Sequence, residues 1–353
     1  MDCLTNEPRR MNPTPSIGIP TIRAAAAVDI ATLLKRKGVE PSPIFEDAGI
    51  DLKTIEDPYQ QIPLDRYTRL LDLAAEASDC PEFGLTIGIN QDPAKWGAFG
   101  YLVLNSPTIG AALNNLTTFL RPWQSGTHIA YVRSGNVVGI EYSILHPAVV
   151  HKNQDAEVSM AYVKNLVDRL AERRVQPVAV HFEHQPIADL TIYKKCFGVV
   201  PYFDQPVNCI TYSKSLEDQP VRSADLQLFP VLRQHLEDMA ATLPNNDDLA
   251  GSVTYQIRQL LPQRQCTLKN VSAALAIESR TLQRRLKTER LVFAQMVEEM
   301  RQQQAMEYLE NSSMELKEIS FLLGYSDTSA FNKAFKKWSG RSPGRYREQH
   351  PTH

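Results

Sequence analysis

The chain has 353 residues, enough for two or more domains at roughly 150 residues each. Apolar residues make up 43% and charged residues 22% of it, which argues against a disordered or fibrous protein. The net charge of -2 divides unevenly, because residues 252–353 carry 16 Lys and Arg against 10 Asp and Glu, leaving 22 against 30 before them. A basic C-terminal module on an acidic body predicts a nucleic-acid partner for that module alone.

Cysteine usage and the N-terminus indicate a cytoplasmic protein without a metal or disulfide framework. The cysteines are odd in number and lack CxxC spacing, so we expect no disulfide scaffold and no zinc site. No cofactor is expected either. Residues 1–20 are polar and proline-rich, which predicts a flexible tail. No stretch approaches 18 uninterrupted apolar residues, so no membrane partner is expected. The cysteines are Cys3, Cys80, Cys196, Cys209 and Cys266.

The first half of the chain begins with helices and then changes its hydrophobic period. Residues 24–125 are predicted to be mostly helical. In "SPTIGAALNNLTTFLRPW", Ser106 can cap a helix whose first position suits Pro107. Next, "HIAYVRSGNVVGIEYSI" contains two β-rich runs around residues 134–136, which predicts a hairpin.

Helices and strands alternate beyond this hairpin. We expect a helix at about 155–172, a strand at "PVAVHF", a short helix at "LTIYKKCFG", a strand at "CITYS" and a helix near 223–242. Residues 21–243 are therefore predicted to form an α+β domain. The next stretch, "LPNNDDLAGS", is rich in Pro, Asn, Asp and Gly, so we place a linker at residues 244–252.

The remaining residues, 253–348, are predicted to form an all-α domain with an approximate internal repeat. Leucines and valine at helical spacing mark a first pair of helices, with Leu282 and Leu286 as the buried side of its second helix. "FAQMVEEMRQQQAMEYLEN" then keeps helical spacing throughout and predicts one connecting helix. Its roughly 18 residues would span about 27 Å. Successive major grooves on one face of DNA lie about 34–36 Å apart, so this helix suits a spacer between two DNA-reading units.

The second helix pair lies in "SFLLGYSDTSAFNKAFKKWSG", where a stripe of apolar residues is interspersed with lysines. The first helix is predicted to end at Gly324. Ser326 is predicted to cap the second helix, and the negative charge of Asp327 is favourable near the positive N-terminal end of that helix. Local chemistry and periodicity together predict helix-turn-helix geometry. The stripe, at i, i+3, i+4 and i+7, comprises Phe331, Ala334, Phe335 and Trp338.

The stretches "TLQRRL", "RQQQAMEYL" and "EISFLLGYSDTSAFNKAFKKWSGRSPGRYR" closely resemble the DNA-binding domain of AraC/XylS-type transcription regulators, over about residues 255–348. The resemblance implies two helix-turn-helix units, joined by a linker helix, whose recognition helices enter adjacent major grooves. Arg or Lys can donate to guanine, and Asn or Gln can pair with adenine. Carried over by position, the implied base-contacting residues are Arg280, Gln283, Arg284, Thr328, Ser329, Asn332 and Lys333. The implied phosphate contacts are Arg285, Lys287, Lys336 and Lys337.

One residue departs from the family pattern. Glu278 stands where the first unit usually has a Ser or similar cap. We therefore expect the cap to come from Ser279 or from the Glu278 carboxylate.

The N-terminal region resembles, by its spacing, the arabinose-binding type of domain found in regulators of the ornithine-utilisation kind. The cues are "EDAGIDLKTIEDPYQQIPLDRYTRLLDLAAEASDCPEFGLTIG" and "YKKCFGVVPYFDQPVNCITY". The resemblance implies a sensory, dimerising domain for a small-molecule effector of open identity. The expected function is sequence-specific transcriptional regulation, expected to be activation, with double-stranded DNA, RNA polymerase and a second copy of the chain as partners.

Two pairs of aromatic residues have alternative interpretations. His181 and His184 could ligate a metal, but packing or surface histidines are the favoured interpretation, and we expect no metal site. Trp96 and Trp123 could line an effector pocket, whereas a plain core role is favoured from general burial tendencies.

An enzyme is not expected, although one group of residues resembles an acid–base cluster. Asp155 and Glu157 lie near His151 in the sequence, but no nucleophile elbow, Gly-rich phosphate loop or HExxH motif accompanies them. The alternatives left open are an enzyme–regulator hybrid with a catalytic N-terminal domain and a regulator controlled by a protein partner.

Overall fold

The computed structural model describes residues 20–349 apart from 145, 147–148, 243–248, 276, 290 and 312–313. The predicted tail therefore lies outside the described residues except for Pro20, as do residues 244–248 of the predicted linker. Among the described residues, every helix is too short or too polar to cross a bilayer.

The described residues up to Thr242 have the predicted α+β fold. Its helices are α1 (Ala25–Arg36), α2 (Pro41–Asp47), α3 (Leu64–Ala77), α4 (Phe83–Asn90), α5 (Ala98–Leu104), α6 (Ile109–Phe119), α7 (Asn153–Leu170), α8 (Leu190–Phe197) and α9 (Leu228–Thr242). Its strands are β1 (Thr21–Arg23), β2 (Gln61–Pro63), β3 (Thr127–Ser134), β4 (Val137–Ile144), β5 (Ala179–His181) and β6 (Asn208–Ser213). Short 3-10 helices span Leu52–Glu56, Pro93–Trp96 and Lys214–Leu216.

The strands form two antiparallel sheets. β1 pairs with β2, and the larger sheet has the order β3-β4-β6-β5. The predicted hairpin is confirmed, because β3 and β4 pair from Thr127 opposite Ile144 to Ser134 opposite Val137. One large hydrophobic core, which includes α7 and the larger sheet, joins the helices to the strands.

The start of α6 differs from the prediction. The helix begins one residue after Thr108, whose side chain accepts a hydrogen bond from the backbone N–H of Ala111 at 3.1 Å. Ser106 is instead buried, and its hydroxyl donates to the Leu102 carbonyl and accepts from the Asn115 amide. The predicted cap at Ser106 and the predicted helical position of Pro107 are therefore wrong, because a tertiary hydrogen bond uses Ser106.

Two glycines let α4 lie directly against α7. A Cβ atom on Gly88 would lie 2.2 Å from the Val158 carbonyl oxygen, and one on Gly84 would lie 2.3 Å from that of Gln154. Because these contacts are with backbone, a side chain at either position cannot be accommodated by a rotamer change. The two helices therefore pack at a distance that only glycine permits.

We expect Gly88→Ala to destabilise the chain by about 3 kcal/mol, the upper end of typical overpacking costs, because α4 must move away from α7. Thermal unfolding of the full chain measures the effect. Gly344→Ala is the matched control, since nothing lies within 4 Å of a Cβ atom there. Equal midpoints for the two variants would contradict this packing.

The C-terminal part is all α, as predicted. Its helices are α10 (Leu249–Leu260), α11 (Leu268–Ala274), α12 (Ser279–Thr288), α13 (Phe293–Asn311), α14 (Leu316–Leu322), α15 (Thr328–Ser339) and α16 (Pro343–Gln349). Helix α10 begins inside the predicted linker, and Leu249 is buried in the core of this part. Residues 249–252 are therefore helical, because their apolar side chains pack against the helices that follow.

Helix α13 joins two separate small cores. Met296, Val297 and Met300 lie in a cluster with Leu282 and Leu286 of α12. Ala305 and Leu309, further along α13, lie in a second cluster with the buried residues of α14 and α15. The predicted connecting helix is thus one continuous element, and each helix-turn-helix unit packs on a different part of it.

Candidate functional site

Helix α15 exposes the polar face predicted from its sequence. Phe331 and Phe335 are fully buried, which fixes the rotation of the helix. Ser329, Asn332 and Lys333 are exposed on the other side, and Thr328 is partly buried in the first turn. The predicted base-contacting residues of the second unit therefore lie on one solvent-facing surface with hydrogen-bonding groups available.

The cap of α15 is Asp327 rather than Ser326. The Asp327 carboxylate accepts from the backbone N–H of Ala330 at 2.8 Å, and the Ser326 hydroxyl donates to the same carboxylate at 2.9 Å. The hydrogen bond from Ala330, followed by that from Ser326, lowers the pKa of Asp327. Asp327 is favoured over Ser326 as the cap because its carboxylate is negatively charged and lies at the positive end of the helix dipole.

Helix α12, like α15, has one buried face and one exposed polar face. Leu282 and Leu286 are buried, whereas Arg280, Gln283 and Arg284 are all exposed. The predicted base-contacting residues of the first unit therefore share the outward side of their helix.

Neither of the caps expected for α12 forms. Glu278 occupies the cap position without a side-chain hydrogen bond to the helix. The hydroxyl of Ser279 is instead within 2.6 Å of that of Ser272 on α11, so it ties the two helices together.

The predicted phosphate contacts differ in their surroundings. Arg285, Lys287 and Lys336 are exposed on α12 and α15. Lys337 lies 3.6 Å from the carboxylate of Glu298 on α13, which also accepts a hydrogen bond from the Trp338 indole at 3.0 Å. The Trp338 hydrogen bond, aided by Lys337, lowers the pKa of Glu298. Lys337 must leave this charged partner to reach a phosphate.

The N-terminal domain contains a partly open cavity of about 60 Å³ between α7, β4 and the helices around them. Trp96 and Trp123 both line it, while Trp123 also belongs to the hydrophobic core and Trp96 packs against that core, so the favoured core role is confirmed. Trp96 stacks between Tyr162 and Trp123, with centroids at 4.3 and 5.1 Å. Asp155 also lines the cavity and is buried.

A chain of hydrogen bonds runs along one side of this cavity. The Gln124 amide donates to the Tyr142 hydroxyl at 2.8 Å, and that hydroxyl donates to the Asp155 carboxylate at 2.5 Å. Burial raises the pKa of Asp155 to about 6. The sequence analysis did not identify Gln124 and Tyr142 as part of this cavity. The one signal in the sequence was Asp155, an acidic residue on an otherwise apolar face of α7, which indicates that a polar partner lies opposite it.

The acidic and histidine residues grouped in the sequence do not meet. Glu157 accepts from the Tyr193 hydroxyl, and His151 pairs with Asp72 at 2.7 Å. Asp155 binds neither of them. The acid–base cluster suggested by sequence proximity is therefore wrong as a cluster, because neighbouring positions on α7 face different parts of the domain.

The histidines of "HFEH" also have separate surroundings. The His181 ring lies 5.3 Å from that of Tyr202, and His184 bonds through Nδ1 to the Gln185 carbonyl. Within the described part of the chain, no group of three His, Cys, Asp or Glu residues could hold a metal ion.

Comparison with known proteins agrees with the two parts of the fold. Residues 38–221 match the model of the arabinose-binding N-terminal domain of AraC transcription regulators, and residues 271–349 match a helix-turn-helix domain model. This chain belongs to the AraC family of transcription regulators. Its α12 and α15 are thus the helices of a DNA-binding helix-turn-helix domain.

Relatives of this AraC-family chain are transcriptional regulators, and two of them match it over nearly their whole length. VirS of Mycobacterium tuberculosis is 27% identical, with 92% of this chain and 96% of VirS covered. The ornithine utilization regulator of Pseudomonas aeruginosa is 26% identical, with 94% and 96% covered. VqsM of Pseudomonas aeruginosa is 36% identical, with 75% and 83% covered.

In this AraC-family regulator, α10 of the DNA-binding part contacts the larger sheet of the N-terminal domain. The Tyr255 ring stacks on His128 of β3 with centroids 3.4 Å apart, and its hydroxyl donates to Glu141 of β4 at 2.9 Å. Arg258 lies 3.1 Å from the Glu183 carboxylate, with both side chains less than a fifth exposed. Burial lowers the pKa of His128 to about 4, so its ring is neutral at pH 7. We call these five residues the α10–sheet contact.

Strands β3 and β4, which carry His128 and Glu141 of the α10–sheet contact, also line the cavity. His128 is followed by Ile129, and Glu141 by Tyr142; Ile129 and Tyr142 both line the cavity. Because successive side chains of a strand point to opposite faces, one face of the hairpin meets α10 and the other meets the cavity.

Proposed function

We propose that this AraC-family regulator is a sequence-specific transcriptional activator whose N-terminal domain binds a small molecule and so alters how the DNA-binding domain is presented. One observation carries the proposal. Two exposed recognition helices, α12 and α15, are held by buried leucines and phenylalanines on different parts of the single helix α13. A rigid spacer of this kind supports simultaneous entry into two major grooves.

The proposed contacts follow from the chemistry of the exposed faces. Arg280 and Arg284 of α12 and Lys333 of α15 are proposed to donate to guanine, while Gln283 and Asn332 are proposed to pair with adenine. Thr328 and Ser329, in the first turn of α15, are proposed to bond to either base type. Proposed phosphate contacts are Arg285, Lys287, Lys336 and, once released from Glu298, Lys337.

Control by the small molecule is proposed to pass through the β3–β4 hairpin. A ligand can shift an equilibrium only by its different affinity for the two states. The cavity and the α10–sheet contact lie on opposite faces of this hairpin, so a ligand that displaces Tyr142 would also displace Glu141. The cavity favours a small molecule over a protein partner as the controlling signal.

We expect Arg258→Ala to loosen α10 from the sheet, because it leaves the largely buried Glu183 carboxylate without this cation. Hydrogen exchange of the α10 amides should become at least tenfold faster, whereas exchange in α7 should not change. Arg233→Ala, which breaks an exposed pair with Glu237 inside α9, is the matched control. Unchanged α10 protection in Arg258→Ala would argue against a coupling role for this contact.

We also propose that the chain acts as a homodimer in the cytoplasm and contacts RNA polymerase when it activates. Exposed apolar side chains near the start of α9, among them Leu226 and Val231, support a surface that a second copy covers. Sedimentation of the full chain tests the dimer: a monomer at micromolar concentration, with and without DNA, would remove this part of the proposal.

A non-catalytic role is proposed for the N-terminal domain. Its relatives are transcriptional regulators, and Asp155, Glu157 and His151 bond to three different partners. An enzyme–regulator hybrid would convert its bound small molecule. Recovery of chemically unchanged molecules after long incubation with the chain is the expected result.

Selection from random oligonucleotides with the full chain tests the proposed function. We expect enrichment of a bipartite site whose two halves lie about one helical turn, roughly 10 base pairs, apart. A promoter carrying that site should give higher reporter output when the chain is expressed. No enriched sequence would overturn specific DNA reading, and lower reporter output would overturn activation.

A further inference from the structure

The cavity between α7 and β4 is unusual in its charge. Among the described residues that line it, Asp155 is the only one with an ionisable carboxylate or amine, and no Lys, Arg or His lines it. Asp155 is buried, and its carboxylate accepts a hydrogen bond from the Tyr142 hydroxyl. A buried carboxylate is stabilised by pairing with a cation, which the described lining does not provide.

We propose that this cavity binds the ammonium group of a small protonated amine, with Asp155 as its counter-ion. The inference rests on the proposed control by a small molecule and names the chemical class of that molecule. Its volume of about 60 Å³ is several times the roughly 10–15 Å³ that a cavity needs to hold one water molecule. The cavity therefore takes the ammonium head and the first carbons, while the rest of a longer amine extends outward.

Aromatic rings form the rest of the site. Trp96, Trp123 and Tyr162 line the cavity, and the Tyr162 hydroxyl is buried without a hydrogen-bond partner among the described residues. Aromatic faces attract ammonium groups and also contact alkyl carbons favourably. Trp96 is only partly buried, which makes its edge of the cavity the exit for the alkyl chain.

Other ligand classes fit less well. A carboxylate would place a second negative charge beside Asp155, and like charges in a buried site disfavour each other. An alcohol would leave the Asp155 charge without a cation. The charge of the site, more than its shape, thus selects an amine.

The position of Tyr142 gives the bound amine a route to the DNA-binding part. Its hydroxyl donates to Asp155, and the preceding residue on β4, Glu141, accepts from Tyr255 of α10. A cation that draws Asp155 towards itself competes with Tyr142 for the carboxylate. Movement of Tyr142 would then reach the α10–sheet contact through one peptide unit.

Titration calorimetry of the full chain with four probes of similar length tests the proposal. Butylamine and 1,4-diaminobutane are the amines, and 1-butanol and butyrate are the matched neutral and anionic probes. We expect both amines to bind at least tenfold more tightly than either matched probe. Asp155→Asn, which keeps the size and an acceptor for Tyr142, should weaken amine binding at least tenfold.

The matched control variant is Glu157→Gln. Glu157 is a buried acid on the same helix that accepts from the Tyr193 hydroxyl, and it does not line the cavity. This variant should bind the amines within twofold of the original chain. Equal amine affinity in Asp155→Asn and the original chain would overturn the inference.

The pH dependence provides a second measurement. Groups that face Asp155 are Tyr142 from β4 and Tyr67 and Asp72 from α3; burial, opposed by the Tyr142 hydrogen bond and aided by Asp72, raises the Asp155 pKa to about 6. The amine needs the ionised carboxylate, so its affinity should fall about tenfold for each pH unit below 6. It should stay constant from about pH 7 to 9, where alkylamines remain protonated. Asp155→Asn should remove the decline, and a decline that persists would contradict the assignment.

The outcomes separate this inference from the proposed function. If butanol or butyrate binds best and changes DNA affinity, small-molecule control stands and the amine assignment fails. If none of the four probes binds, the amine assignment also fails. If amines bind through Asp155 but leave DNA affinity unchanged, the site stands and its proposed control of DNA binding fails.

Discussion

Phe335→Ala is expected to unfold the second helix-turn-helix unit while leaving the first one folded. Phe335 is fully buried, and its ring centroid lies 5.8 Å from that of Phe331 and 5.3 Å from that of Tyr346. Truncating a buried phenylalanine costs about 3–5 kcal/mol. That is a large part of the stability of a small domain, and only six buried residues form this cluster among those described.

Hydrogen exchange resolved along the chain measures this effect. Protection in α14, α15 and α16 should be lost, while α11 and α12 keep theirs because they pack in a different cluster. Phe321→Ala is the control. Because Phe321 is 38% exposed, its replacement should lower the free energy of unfolding by less than about 1 kcal/mol. If α12 and α15 lose protection together, the two clusters form one cooperative unit and this separation is wrong.

The two units were predictable because their information is local. Phe331 and Phe335 show helical periodicity within one short stretch, and Gly324 takes the left-handed conformation (φ 73°) at the predicted helix end. The stripe alone determines which side of α15 faces outward. The exposed positions of Asn332 and Lys333 follow from that rotation.

The errors at helix starts have a different physical origin. Ser106 and Ser326 were both predicted as caps, and in each case the neighbouring Thr108 or Asp327 takes the position. Capping preferences differ by only a few tenths of a kcal/mol among these residue types. A tertiary hydrogen bond, such as that from Asn115 to Ser106, is sufficient to decide between them.

Most of the cavity lining could not be predicted, because its residues come from distant parts of the chain. Trp96 lies at the end of a 3-10 helix, Tyr142 lies on β4 and Asp155 lies on α7. No periodicity relates these positions, and only the packing of α7 against the sheet brings them together. The same holds for the α10–sheet contact, since Tyr255 and Glu141 are 114 residues apart.

Replacing Arg284 and Lys333 together is expected to cause the largest loss of specific DNA binding. Each residue is exposed on the recognition helix of a different unit, and each substitution by Ala should cost about 1–3 kcal/mol and relax preference at one base position. Because the sites lie in separate units, the costs should add to about 2–6 kcal/mol. That corresponds to a loss of roughly 30-fold to 10⁴-fold in affinity.

Fluorescence anisotropy with the selected site and with scrambled sites measures both single variants and the double variant. Lys336→Ala is the control for phosphate binding: it should weaken all sequences alike and lower the slope of affinity against salt by about 1. Lys337→Ala should do less, because Lys337 already has Glu298 as a partner 3.6 Å away. If the double variant binds no more weakly than the weaker single variant, only one unit reads bases. A bipartite site would then need another explanation than two recognition helices on one connecting helix.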